Sequence, residues 1–230
     1  MQLGLFRFLK ILFANLFIQT SWSFYWMQGL GFLFNLYFGF AKEKRKEIIH
    51  IHKGYFNTHP YMSGYIIGAV LRAYDSKESP EQIKKFITVS QTTLASFGDT
   101  LFWQTIRPAL LIIAVILGIR FGIIGPVLFL VLYNIIHFYY RIIGFIEGYN
   151  KGFDITFHLR QQIGNWTRVF EIIGAIGAGI LPIILIKDPK SLIFIPLTLI
   201  FLILLFKRLP PILILTIIFL LIIIIALVSL

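Results

Sequence analysis

The residues best placed to do chemistry sit in one short stretch, Ser96 to Pro108, which reads SFGDTLFWQTIRP. Asp99, Trp103 and Arg107 recur every fourth residue. On an α-helix that spacing keeps all three near one face, drifting about 40° per step. A carboxylate accepts from hydroxyls, a large ring covers C–H surface and a guanidinium donates, so such a face can hold a polar ligand. Gly98-Asp99 reads as a helix start with Asp99 as the N-cap, and Pro108 should bend or restart the helix after Arg107. The apolar run that follows, Ala109 to Gly118, is too short to cross a bilayer alone. Two readings fit. One is a membrane substrate site, because an ionisable pair beside a broken apolar helix is a common way to build one. The other is a helix cap plus an arginine reaching lipid headgroups.

The rest of the chain says what must position these residues. It has 230 residues, 58% of them apolar, and a net charge of +11. That composition is of a polytopic membrane protein, in which excess Lys and Arg reports cytoplasmic loops rather than nucleic-acid binding. There is no cysteine, so disulfides and thiolate metal sites are excluded. His50 and His52 are two apart and no carboxylate pair completes a set with His59, so no metal is expected. No nucleophile–base constellation stands out, and no cofactor is implied.

Met1 to Phe40 carries Leu3, Phe6, Leu9, Phe13 and Phe17, interrupted by Arg7, Lys10 and Asn15. No signal-peptide cleavage pattern follows, and aromatic sequence continues at once, so this reads as an uncleaved interfacial helix. Ala41 to Lys53 is basic, solvated and helical. Asn57-Thr58-His59-Pro60 is a turn or helix start. The run after it, with Gly64 and Gly68 in a G-x-x-x-G, suits a re-entrant half-helix making a close helix contact. Ser79-Pro80-Glu81 begins another helix. Ile123 to Glu147 is long enough to span, with Asn134, His137, Arg141, Gly144 and Gly148 recurring along it. That stripe reads as glue between helices for His137 and Arg141; for Asn134 a cavity-lining role stands beside the same glue reading. An isolated charge at mid-bilayer costs roughly 2.5–3.5 kcal/mol, so Arg141 should be paired or near an edge. Val169 to Ile186 is a glycine-rich, kinked span. Leu192 to Phe206 and Ile212 to Leu230 form a plain apolar hairpin. The fold expected is an all-α integral membrane protein: an interfacial N-terminal helix, re-entrant or broken helices, and about four to five transmembrane helices. It is one membrane domain, 1–230, with an interfacial, cytoplasmic and re-entrant part (1–107) and a transmembrane part (108–230). An N-terminus inside and C-terminus outside leaves only Arg120, Lys187 and Lys190 of the 21 basic residues outside.

Ordered stretches of the chain resemble subunit IID of the mannose/fructose/sorbose family of the bacterial sugar phosphotransferase system. They are SWSFYWMQGLGF (Ser21–Phe32), FNTHPY (Phe56–Tyr61), GDTLFWQTIRP (Gly98–Pro108), GPVLFLVLYN (Gly125–Asn134) and RIIGFIEGYNKGFDI (Arg141–Ile155). The resemblance implies a bacterial inner-membrane protein with an obligate partner, subunit IIC. The two would form the hexose translocation unit, typically as a trimer of IIC–IID pairs. Phosphoryl groups would come from IIA and IIB, so IID itself would be non-catalytic. Trp22, Gln28, Asn57, His59, Asp99, Trp103, Arg107 and Asn134 would then line or brace the sugar pathway. The chain departs from the family pattern at Tyr25-Trp26 and Leu71–Tyr74, where the family usually carries charges, at Gln91–Phe97, and at a shortened Lys187–Ser191. These departures motivate an alternative: a diverged, non-transporting homologue acting as a membrane scaffold or regulatory partner of phosphotransfer proteins.

Overall fold

The computed structural model describes residues 4–186, 192–207, 209–210, 212–214, 216–217 and 219–221. Its elements are α1 (Leu5–Leu16), α2 (Gly29–Gly39), α3 (Lys42–His52), α4 (Ser63–Asp75), α5 (Pro80–Gly98), a π-helix (Asp99–Ile106), α6 (Arg107–Phe121), α7 (Ile124–Lys151), a 3-10 turn (Gly152–Asp154), α8 (Ile155–Ile186) and α9 (Phe194–Phe206). Among the described residues, extended pairing is limited to two isolated bridges, Ser23–Met27 and Met27–Phe56. Among the described residues, three helical runs are long and apolar enough to cross a membrane: Pro80–Phe121, Ile124–Arg160 and Gln162–Ile186. Gly29–Gly39 and Phe194–Leu204 are shorter apolar helices, and another opens at Ile212. This is an all-α membrane protein. The segment Lys187–Ser191 and the end of the expected last helix lie outside the described residues.

The chain forms two compact units, Met1–Gln104 with Leu132–Trp166, and Thr105–Val131 with Thr167–Leu230. In the first unit, α1 buries Ile11, Ala14 and Asn15, an i, i+3, i+4 stripe that Ile18 continues in the turn after it, and leaves Leu5, Phe6, Leu9 and Phe13 exposed. An apolar outer face with Lys10 at its edge suits a helix at a membrane interface. Arg7 donates to the carbonyl of Gly39, the last residue of α2, where a cation also complements the helix dipole. The loop before α2 is latched by Gln28, whose Nε2 donates to the Thr58 carbonyl (2.8 Å) and whose Oε1 accepts from the Thr58 amide (3.2 Å).

Pro60 lies in a turn rather than at the first helical position, and α4 begins at Ser63. At 13 residues α4 is about 20 Å long, short of a roughly 30 Å hydrocarbon core. It is buried on nearly every side, so its peptide groups and side chains meet protein rather than lipid. The expected close contact is two-sided. A Cβ on Gly68 would come within 2.3 Å of the Phe145 carbonyl, and one on Gly148 within 2.2 Å of the Tyr65 carbonyl. Two small-residue pairs, Gly64/Gly68 on α4 and Gly144/Gly148 on α7, therefore let the two backbones touch. The helix start expected at Ser79 is there, and it carries a capping box: the Ser79 hydroxyl accepts from the Gln82 amide, and the Gln82 side chain accepts from the Ser79 amide.

The second unit is plainer. α6 ends at Gly122, at φ +61°, which turns the chain into α7. Gly125 packs on the backbone of Ala114 and Gly118, while Gly174 and Gly177 of α8 face Ala109 and Ile112. Pro182 lies inside α8. Outward-facing Ile, Leu, Val and Phe dominate this unit, as lipid-facing helices require.

Candidate functional site

The stretch that opens the sequence reading folds differently from its α-helical expectation. Asp99 is no N-cap: α5 passes through Gly98 with Asp99 in the helical region, and eight residues, Asp99–Ile106, form a π-helix before α6 begins at Arg107. The reason is that nothing in α5 stops it. Gly98 keeps helical geometry because its missing side chain makes room for a ring; a Cβ there would lie 2.2 Å from His59 Cγ. Bonding from i to i+5 widens each turn, so the stretch is not the α-helix expected over Asp99, Trp103 and Arg107. Such π segments are frequent at functional positions.

His59 is the centre of what the first unit assembles here. It is 2% exposed, it stacks on Phe102 (5.1 Å between centroids, 10° between planes), and it meets Tyr61 and Trp103 edge-on, each at 4.9 Å. Burial, with Arg141 nearby, pushes its imidazole down to about 3, so it is neutral at any physiological pH. The Tyr61 amide approaches its Nδ1 at 3.4 Å, which leaves Nε2 as the N–H donor. Nε2 is buried without a partner.

Tyr61 carries the cluster onward. Its ring stacks on His137 (4.6 Å) and lies under the Arg141 guanidinium (5.2 Å). Arg141 Nη1 donates to the Asn15 carbonyl (2.5 Å) and to Asn15 Oδ1 (2.6 Å). Ser63 Oγ also donates toward Asn15 Oδ1, at 3.1 Å. The buried guanidinium is thus held through Nη1 by carbonyl oxygens and by a ring face, while its Nε is buried without a partner, and it ties α7 to α1 as the glue reading of Arg141 has it. His137 Nε2 donates to Asn134 Oδ1 at 2.8 Å on the exposed side of α7.

The sequence-derived residues divide accordingly. His59 and Trp103 are brought together, with Trp103 about half exposed beside the buried ring. Asp99 lies half-buried one turn before Trp103, and Asn134 lies on α7 next to His137. Asn57 is half-buried, its amide donating to Gln91 Oε1 (3.0 Å). Gln28 is a buried latch. Trp22 is exposed in the loop before α2, and Arg107 is exposed at the start of α6 in the second unit. The sequence reading missed Asn15 and Tyr61 as members. The available signal was Asn15 itself, a lone amide on an otherwise apolar helix face.

Chemically, the cluster presents the half-exposed Trp103 face, with the half-buried Asp99 carboxylate on the same helix and the exposed Asn134 amide beside His137. Those groups suit recognition of hydroxyl-rich surfaces. Among the described residues, no three His, Asp or Glu side chains gather as a metal site.

Residues 5–188 match the family model described as the PTS system mannose/fructose/sorbose family IID component. The chain is similar to the mannose-specific EIID component of Escherichia coli (strain K12), 33% identical over 154 residues, which are 62% of this chain and 54% of that protein. It is also similar to the fructose permease IID component of Bacillus subtilis (strain 168), 30% identical over 176 residues, 72% of this chain and 64% of that one. The chain therefore spans little more than half the length of the E. coli relative. Among solved structures it resembles a chain in the cryo-EM structure of the mannose transporter ManYZ with microcin E492, with a TM-score of 0.62 and 24% identity, covering 95% of this chain and 94% of that one. That likeness carries the fold.

Proposed function

The chain belongs to the mannose/fructose/sorbose family of phosphotransferase-system IID components, and we propose that it is the IID half of a phosphoenolpyruvate-dependent hexose translocator whose other half is a IIC subunit. The observation that carries this reading is the extent of the family match, which runs from α1 to the end of α8. In this reading the protein catalyses no step. IIA and IIB supply the phosphoryl group, and IID lines or braces the sugar path with the His59–Trp103 cluster, Asp99 and Asn134. Trp22, Asn57 and Arg107 extend that path and Gln28 holds its frame. The assembly is a trimer of IIC–IID pairs in the bacterial inner membrane. The N-terminus faces the cytoplasm, because that places most Lys and Arg inside.

Mechanistically, the cluster's value is preorganisation. A neutral imidazole packed between Phe102 and Tyr61, with its Nε2 closed off from solvent, fixes the Trp103 ring that it meets edge-on. The exposed Trp103 face beside it gives a sugar C–H surface somewhere to rest. Hydroxyls find directional partners in the Asp99 carboxylate and the Asn134 amide.

The test is phosphoenolpyruvate-dependent phosphorylation and uptake of labelled mannose, fructose and sorbose, in membranes holding this chain, its IIC and the soluble phosphotransfer proteins. Uptake that requires this chain supports the translocator reading. An assembled complex that moves none of the three sugars sinks it in favour of the scaffold.

A further inference from the structure

A second feature of the first unit lies apart from the His59 cluster. Where α3 ends, the chain passes through Lys53-Gly54-Tyr55-Phe56 and closes over the side of α5. A cavity of about 220 Å³ opens there, lined among others by His52, Lys53, Tyr55, Lys84 and Thr88, with Phe32 and Phe56 as its apolar floor. At about 30 Å³ per water, that is room for several waters or one small headgroup. The floor is rigid: Phe32 and Phe56 stack at 4.2 Å and 8°. One wall is fixed as well, since His52 Nε2 and the Tyr74 hydroxyl lie 2.7 Å apart.

The lining is one-signed. It holds two ammonium groups, a phenol, a hydroxyl and an imidazole, and no carboxylate. Lys84 is close enough to His52 to act with burial in holding its imidazole down to about 4. Positive charge is therefore concentrated here without a counter-ion from the lining. A strongly hydrated ammonium pair beside neutral donors suits a compact, multiply accepting anion, and phosphate is the commonest such group at a membrane surface. A carboxylate, with two oxygens, would use fewer of the donors.

We infer that the pocket between the end of α3 and the side of α5 is a phosphate-ester site, held by Lys53 and Lys84. Two sources share that chemistry: the headgroup of an anionic phospholipid, and a soluble phosphate ester. The pocket binds its anion whether or not the chain moves sugar, so failure here and failure of transport are separate results.

The full chain, purified in a maltoside detergent that carries no phosphate, is labelled at its five histidines. The His52 ring signals are followed while short-chain phosphatidylglycerol, or glycerol phosphate, is titrated in. Wild type should saturate with one of the two, and the Lys53→Gln/Lys84→Gln variant should bind about tenfold more weakly, the scale of losing two partly solvated charge-assisted contacts. Lys85→Gln, one position along on α5 and outside the lining, should bind as wild type does. Tighter binding of the lipid assigns the pocket to a membrane headgroup; equal or tighter binding of glycerol phosphate assigns it to a soluble ester. If neither ligand moves the His52 signals, or if the double variant binds within twofold of wild type, the site does not exist.

Discussion

The two units of this chain are made from nearly the same apolar alphabet and use it differently. Apart from Thr105, every buried polar side chain among the described residues lies in the first unit, from Asn15 on α1 to Arg141 on α7. All five histidines of the chain lie there too. The second unit packs small residues against one another and turns Ile, Leu and Val outward. In a bilayer, apolar burial does little to hold helices together, so the first unit relies on hydrogen bonds and backbone contact while the second is specified mostly by its span in lipid. The difference separates a body held by polar contacts from one held by apolar spans.

Matched substitutions break or sharpen that contrast. The largest effect should come from glycine. Gly68→Ala drives a Cβ to 2.3 Å from the Phe145 carbonyl, where backbone must move, and should cost about 3 kcal/mol or more. Gly174→Ala in the second unit meets Ala109 at an ordinary 3.6 Å and should stay within about 0.5 kcal/mol. Thermal melting of the purified chain compares them, and equal losses would erase the contrast. Next is arginine. Arg141→Met removes the partner of Asn15 and should cost about 1–3 kcal/mol, whereas Arg168→Met, which gives up a guanidinium over the Phe206 ring, should cost under about 1 kcal/mol.

Asp99→Asn should depress sugar uptake about tenfold, the worth of one hydrogen bond to a charged group, with protein still in the membrane. Wild-type uptake in that variant would reduce Asp99 to a bracing role. The smallest effect is on pH dependence. The imidazoles of His59 and His52 are held below their ordinary 6.5, to about 3 and about 4. The unfolded chain takes up protons near pH 6.5 that the folded chain refuses, so stability falls as pH drops from about 6.5 toward 4. His59→Phe keeps the stack on Phe102 and should flatten that slope. A slope unchanged in a His52→Phe/His59→Phe variant would place the acid sensitivity elsewhere.

Much of this was legible in the sequence. Periodicity and hydropathy gave the spans, Ser79-Pro80 gave a helix start, and Gly64/Gly68 gave a close contact, because each is a local signal. The family followed from ordered motifs. Less legible was anything set by tertiary crowding. Gly98-Asp99 has the residues of a helix start, yet the helix runs on, since Gly98 is there to admit the His59 ring. Asn15 looks like an interruption in an apolar helix until Arg141 arrives on a helix far along the chain. A pairwise partner at that distance leaves no local trace.

That distance also sets an order of manufacture. Asn15 waits for a guanidinium 126 positions later, and Gly64 and Gly68 wait for the same helix. At about 5–20 residues per second, roughly 6–25 s of synthesis separate the two halves of the contact. Until α7 is made, α1 and then α4 stand without that neighbour. α1 can rest among headgroups, where its amide stays wet, but α4 is short and built to be enclosed by protein. The emergence of α7 from the ribosome is therefore the event that closes the first unit, and a chain truncated before Arg141 would leave α4 unfinished however well its own residues favour a helix.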